Sequence, residues 1–281
     1  MINEVPYLQQ MTQNYSRSAK VIAITSGKGG VGKTNIAANL AICLAASQKN
    51  VLLLDADMSL GNLDVIMNIK SRYNISHLLA GRKSIQDIIQ VGPKGLKIIC
   101  GASGLQKLAN IDECHRLLLL RELSKLQQET DVVLIDTAAG ISRSVVGFCL
   151  AVDHVLVVTT PEPTAMTDAY GMTKVLLRNR FSGHISFIVN MADTTAQGIK
   201  TYKKIANTIE QFLATQINCA GVLLKDGRLQ KAVQSRIPVV LAYPKSQISL
   251  SLVALAAKLG NGLAAQQSNG KFFEKVLRRF F

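Results

Sequence analysis

Acidic side chains are scarce in this chain: 18 Asp and Glu stand against 32 Lys and Arg, for a formal net charge of +14. The imbalance points to an anionic partner, nucleic acid or a membrane surface, and does not by itself choose between them. Paired cysteines are also missing. Cys43, Cys100, Cys114, Cys149 and Cys219 stand singly in mostly apolar surroundings with no C-x-x-C pair, which reads as buried free thiols and argues against an iron–sulfur carrier. No apolar run reaches the roughly 18 residues of a membrane-spanning helix. The polar stretch Met1 to Ala19 has no apolar signal-peptide core, so a soluble, intracellular protein is expected. What remains is a chain of 281 residues, 48% hydrophobic, with no abrupt change of composition before about residue 263. One α/β domain is the expectation.

Apolar runs alternate with helical periodicity, the pattern of a mostly parallel twisted sheet with helices on both faces. Strands are predicted at 20–26, 50–55, 96–100, 131–136, 154–159, 185–190 and 218–224, and helices at 33–47, 112–129, 142–151, 165–179, 195–213, 227–235 and 247–261. Active sites in such sheets lie at the carboxyl ends of the strands, which directs attention to four of these ends.

The first strand runs into Gly27-Lys28-Gly29-Gly30-Val31-Gly32-Lys33-Thr34-Asn35. Between a β-branched strand and a helix, G-x-x-x-x-G-K-[ST] is a phosphate-binding loop. Its backbone N–H groups curl around phosphates, Lys33 places a charge on the β/γ oxygens and Thr34 is a magnesium ligand. Lys28 is an extra lysine early in the loop. It reads either as a solvated surface residue or as a charge delivered to the phosphates of a second molecule, since phosphoryl transfer rewards positive charge on the transferring oxygens.

The second strand end gives Asp55-Ala56-Asp57, with Gly61-Asn62 downstream to turn the chain. Asp55 would lie near the metal shell and Asp57 would polarise the attacking water; an acidic turn capping the next element is the plainer alternative. Asp64 reads as a surface or capping residue. Strand 131–136 delivers Asp136 and then Thr137-Ala138-Ala139-Gly140, so that Asp136 could hold magnesium through water while Gly140 lets the backbone near the γ-phosphate. These residues make a hydrolytic site without a histidine base. Asn190, ending a later strand, offers a donor and an acceptor to an adenine edge or is a simple turn former.

The carboxyl tail follows a Gly/Asn/Gln/Ser stretch. Phe272, Phe273, Val276, Leu277, Phe280 and Phe281 fall on one helical face, with Lys271, Glu274, Lys275, Arg278 and Arg279 on the other. That is the composition of a helix lying in a bilayer interface, and also of a final helix docked on the protein's own core. The polar linker and basic density favour the membrane reading. The expected division is a polar extension 1–19, an ATPase domain 20–262, a linker 263–270 and an amphipathic membrane-targeting helix 271–281.

Gly27 to Thr34 resembles the deviant Walker A loop of the MinD/ParA ATPases, with Lys28 in the place of their signature lysine. Asp55 to Asp64 resembles their first switch and Asp136 to Gly140 their second. Pro161-Glu162-Pro163-Thr164, Thr167-Asp168-Ala169-Tyr170 and Asn190-Met191-Ala192 are similar to the family's flagellar number regulators. The resemblance implies a P-loop NTPase fold and slow hydrolysis of ATP to ADP with Mg2+. It further implies a homodimer in which each Lys28 reaches the other subunit's phosphates while Asp57 orients water and Asn190 contacts adenine. It implies peripheral attachment to lipids on the cytoplasmic face of the inner membrane through the tail. Its implied partners are an FlhF-like GTPase and a flagellar master transcription activator, with direct DNA binding not expected. The D-Q-A-x-x-L-R activation motif of some members is not clearly present, and Leu8-Gln9-Gln10-Met11-Thr12-Gln13 is a faint echo of it. The alternatives are a MinD-like division-site regulator and a ParA-like DNA- or cargo-positioning ATPase. The latter would carry its basic residues over the folded surface for phosphate contacts.

Overall fold

The structure, a computed structural model, describes residues 19–57, 63–101, 122–263 and 272–280. Its strands are β1 (Lys20–Ser26), β2 (Val51–Ala56), β3 (Ile89–Val91), β4 (Lys97–Ile99), β5 (Val132–Ala139), β6 (His154–Thr159), β7 (His184–Ala192) and β8 (Asn218–Leu224). They form one sheet in the order β3-β4-β2-β5-β1-β6-β7-β8, parallel throughout except for the β3–β4 pair. The first helices are α1 (Lys33–Ala46), α2 (Leu63–Met67), α3 (Ile75–Leu79), α4 (Ile85–Ile88), α5 (122–128) and α6 (Arg143–Ala151). The rest are α7 (Pro163–Arg178), α8 (Thr195–Leu213), α9 (Gly227–Gln234), α10 (Val239–Ala242), α11 (Gln247–Leu263) and α12 (Phe272–Phe280).

The central strands are buried on both faces, which is why they read as unbroken apolar runs rather than alternations. Successive side chains still point to opposite sides. Val21 and Ala23 enter one core with Val145 and Phe148 of α6, Met172 of α7 and Ile205 of α8. Ile22 and Ile24 enter the other with Leu40 and Leu44 of α1 and Leu252 and Leu255 of α11. Helix α1 is buried nearly all round, because it is sandwiched between the sheet and α11. Its Asn39 is fully buried and satisfied at both ends, donating to the Asn35 carbonyl (2.7 Å) and accepting from Val240 N–H (3.1 Å). The helix behind the phosphate loop is thereby fixed on two sides.

All seven predicted strands are present within two or three residues of their expected ends. The β3 hairpin and the short helices α2, α3, α4 and α10 were not predicted. Three to five residues carry too little periodicity to register; α3 and α4 depend instead on capping, Asn74 with His77 and Ser84 with Asp87. Asp64, expected on the surface or as a cap, stands in the first turn of α2 with its carboxylate accepting from Val65 N–H. Helix α11 runs to Leu263, one residue into the stretch read as linker. Cys100 and Cys149 are buried free thiols, both pushed up to about 12 by burial; Cys114 lies outside the described residues. Among the described residues no helix is long and apolar enough to cross a membrane.

Candidate functional site

β1 ends at Ser26 and α1 begins at Lys33, leaving six residues for the loop. Two of its glycines adopt left-handed backbone, Gly30 at φ 79° and Gly32 at φ 92°. Gly32 has a second reason to be glycine: a Cβ there would stand 2.5 Å from the Asn190 amide nitrogen. At the loop's other end a Cβ on Gly27 would meet the Asp168 carbonyl oxygen at 2.3 Å, so α7 lies directly against the loop backbone. The Ser26 hydroxyl donates to the Lys28 carbonyl at 2.6 Å. These contacts turn N–H groups and the N-terminus of α1 toward one point, the arrangement that receives phosphate.

Lys33 is 8% exposed, an unusual position for an ammonium group. Burial lowers its pKa, and Asp136 and Asp57 pull it back up. The β2–β5 register places Asp55 opposite Asp136, so two carboxylates share a buried strand end. Asp55 accepts from Asp57 N–H at 3.0 Å, and burial raises its carboxyl to about 6. Asp136, raised to about 7 chiefly by burial, is hydrogen-bonded by the Thr34 side chain, while its Oδ1 has no partner. A buried orphan carboxylate oxygen beside a loop threonine is costly in a protein that binds nothing. It fits a site completed by a hydrated divalent cation with its nucleotide. Among the described residues no three His, Cys, Asp or Glu side chains converge on a metal-ligating arrangement.

Lys28 is held at the start of α7. Its ammonium donates to Glu162 Oε1 (2.5 Å) and Thr164 Oγ1 (2.8 Å) at the start of α7. Glu162 also lines a cavity of about 380 Å³ with Gly29, Gly30, Met191, Asp193 and Lys225. On its rim Lys225 pairs with Asp193 at 2.8 Å, an arrangement that holds the Asp193 carboxyl below its usual range. Asn190 is 3% exposed and donates its amide N–H to the Val31 carbonyl at 2.8 Å. It therefore braces the phosphate loop with one of its two amide N–H donors. Gly140, at φ 88°, gives its N–H to the Ser26 carbonyl.

One end of the sheet thus brings together Gly27 to Asn35, Asp55, Asp57, Asp136 and Asn190. Residues 58–62, the middle of the first switch, lie outside the described residues. Glu162 and Thr164 were not predicted as site residues. Their stretch is distinctive in the sequence, but only the packing of α7 on Gly27 brings it to Lys28.

The tail stands apart from this cluster. Phe272, Phe273 and Val276 are 2%, 2% and 1% exposed, packed within the core of the α6 side. The rings of the two phenylalanines meet edge to face at 4.8 Å, and α12 rests on α6. The apolar face predicted for membrane contact is, at these three residues, buried against the protein itself. Phe281, Lys271 and the side chains of Leu277 and Phe280 lie outside the described residues.

Residues 19–180 match the family model AAA_31, an AAA domain. The chain is 38% identical over 240 residues to the antiactivator FleN of Pseudomonas aeruginosa, covering 85% of this chain and 86% of that protein. It is 34% identical to the flagellum site-determining protein YlxH of Helicobacter pylori, covering 93% of this chain and 90% of the relative. Its fold matches the septum site-determining protein MinD of Pyrococcus horikoshii, solved with Mg-ADP. The TM-score is 0.70 at 23% identity, over 89% of this chain and 99% of that one.

Proposed function

The chain belongs to the MinD/ParA family of ATPases and works on ATP with Mg2+, and from that premise we propose that it is an ATP-driven dimer switch regulating flagellar number and placement, as in the FlhG/FleN group. The names of two relatives, an antiactivator and a flagellum site-determining protein, support that output. A flagellar transcription activator and an FlhF-like GTPase are the partners proposed.

In the proposed site the loop amides and Lys33 hold the β and γ phosphates. Thr34, Asp136 and Asp55 would hold Mg2+ with the nucleotide, and the ion, when bound, would neutralise charge on the phosphate oxygens. Asp57 stands one residue past the end of β2, half-buried, and orients the attacking water. Asn190 keeps the loop in shape and offers its free carbonyl to the adenine amine. Lys28 contributes nothing to its own site and completes the site of a second subunit. The observation that carries this reading is where its ammonium lies, on Glu162 and Thr164 at the start of α7.

Membrane attachment through α12 belongs to the same proposal. The tail exchanges one apolar environment for another when it leaves the α6 face for a bilayer, so the movement trades burial rather than losing it.

Light scattering with purified protein tests the switch. Wild type is dimeric with ATP and monomeric with ADP, and Lys28→Ala is monomeric with both. A Lys28→Ala protein that dimerises normally with ATP contradicts the cross-subunit role.

A further inference from the structure

The proposed function leaves unexplained what Lys28 does in a lone protomer. An unpaired ammonium on a phosphate-loop rim would be free to search for any anion. Here it is engaged: Glu162 and Thr164 hold it, and Thr164 Oγ1 donates to the same Glu162 oxygen at 2.7 Å, closing a three-membered ring of contacts. Two further observations show that this ring is built rather than incidental. Glu162 occupies the position that begins α7, yet its carboxylate makes no bond to the helix's open N–H groups, where an oxygen acceptor is ordinarily favourable. The carboxylate is committed to the lysine instead. The start of the loop also runs close against α7, since a Cβ on Gly27 would clash with the Asp168 backbone. Rotation of the Lys28 side chain is then enough to release the ammonium.

We infer that Glu162, with Thr164, is a parking site for Lys28, a positioning device that must release the lysine before two subunits can join over ATP. The inference rests on the cross-subunit role of Lys28 proposed above. In each protomer the ion pair competes with the phosphates of the other subunit's nucleotide for one ammonium group. The pair sets the threshold of dimerisation, and it keeps Lys28 from meeting phosphate prematurely. The Lys28 and Glu162 side chains are 36% and 54% exposed, so the pair is partly solvated. Each release is then expected to cost about 1.5- to 5-fold in equilibrium. A dimer releases two lysines, which makes the whole effect roughly 2- to 20-fold in dimer Kd.

Sedimentation velocity with a non-hydrolysable ATP analogue, over a series of protein concentrations, reads this directly. Glu162→Gln should tighten the dimer roughly 2- to 20-fold, and Thr164→Val should tighten it by less. Lys28→Ala should stay monomeric and Glu162→Gln added to it should not bring the dimer back, whereas a Glu162 that opposed dimerisation for a reason other than Lys28 would favour the dimer there too. An unchanged or weaker Glu162→Gln dimer overturns the parking site, as does a tightening that persists without Lys28. If Lys28→Ala blocks dimerisation while Glu162→Gln does not tighten it, the parking site alone is wrong. If Lys28→Ala dimerises like wild type, the cross-subunit role itself fails and the parking site falls with it.

Discussion

The phosphate loop and the terminal helix are the two most distinctive stretches of this chain, and they are held in opposite ways. Around the loop the fold accepts features that oppose stability: a buried ammonium, two carboxylates on adjacent strand ends, one carboxylate oxygen without a partner and two left-handed glycines. Under the tail it accepts none. Phe272, Phe273 and Val276 fill the α6 side of the core as any docked helix would. Local conflict marks a site that a ligand completes, whereas satisfied packing is silent about function. The loop therefore argues for its ligand from geometry alone. The tail's apolar face meets either protein or lipid equally well.

The largest expected effect breaks the loop's side of this contrast. Lys33→Ala removes the one cation among three carboxylates and should weaken ATP binding about 10- to 100-fold in calorimetry, the scale of a charged hydrogen bond. If affinity holds, the conflict at the strand ends serves something other than phosphate.

The next prediction probes the tail. Phe273→Ala should leave the sheet domain folded but detach α12, because a buried phenylalanine is worth about 3–5 kcal/mol. Amide exchange across 272–280 should then speed up by at least about 100-fold, with global unfolding little changed. Removing residues 271–281 should abolish recovery on anionic liposomes while nucleotide binding persists. Liposome recovery that survives the deletion sinks the membrane reading.

Asn190 links loop and sheet, and its substitution is expected to cost less. Asn190→Ala leaves the Val31 carbonyl without its donor and should lower stability by about 1–3 kcal/mol in urea unfolding. A stability equal to wild type would leave Asn190 with no bracing role.

The smallest effect expected is on pH. Asp136 and Asp55 have folded pKa values of about 7 and about 6, above the ordinary aspartate range. The native state without ligand holds protons that the unfolded chain has released, so stability from these groups is full below about pH 4. It declines as pH rises from about 4 and is lost above about 7. Without ligand the Tm should fall over that window by about 2–4 °C for each kcal/mol withdrawn. Mg-ADP should flatten the slope, since binding favours the ionised carboxylates. A profile that Mg-ADP leaves unchanged would detach Asp136 from the metal.

How much could be read from sequence divides along the same line. Strands and long helices were legible because burial on both sheet faces writes unbroken apolar runs and long helices write periodicity. Lys33 was marked by the G-x-x-x-x-G-K-[ST] pattern, and Asp55 and Asp136 by charge at apolar strand ends, which the sheet register sets side by side. Glu162 was not, since a glutamate before a helix is ordinary until packing brings Lys28 to it 134 residues away. The destination of the tail was not legible either, because docking and lipid binding ask for the same amphipathic pattern.

The central claim is that Lys28 acts across a subunit interface, and mixing two inactive variants tests it. Lys28→Ala keeps Asp57 but lacks the lysine to give; Asp57→Ala keeps the lysine but cannot orient water. Each alone should hydrolyse ATP at background rate. In an equal mixture each mixed dimer carries one complete site of its two, Asp57 from one subunit and Lys28 from the other, so ATPase activity well above that of either variant alone should return. A mixture as inactive as its components would mean that Lys28 serves its own subunit, and the account of a two-subunit switch would be wrong.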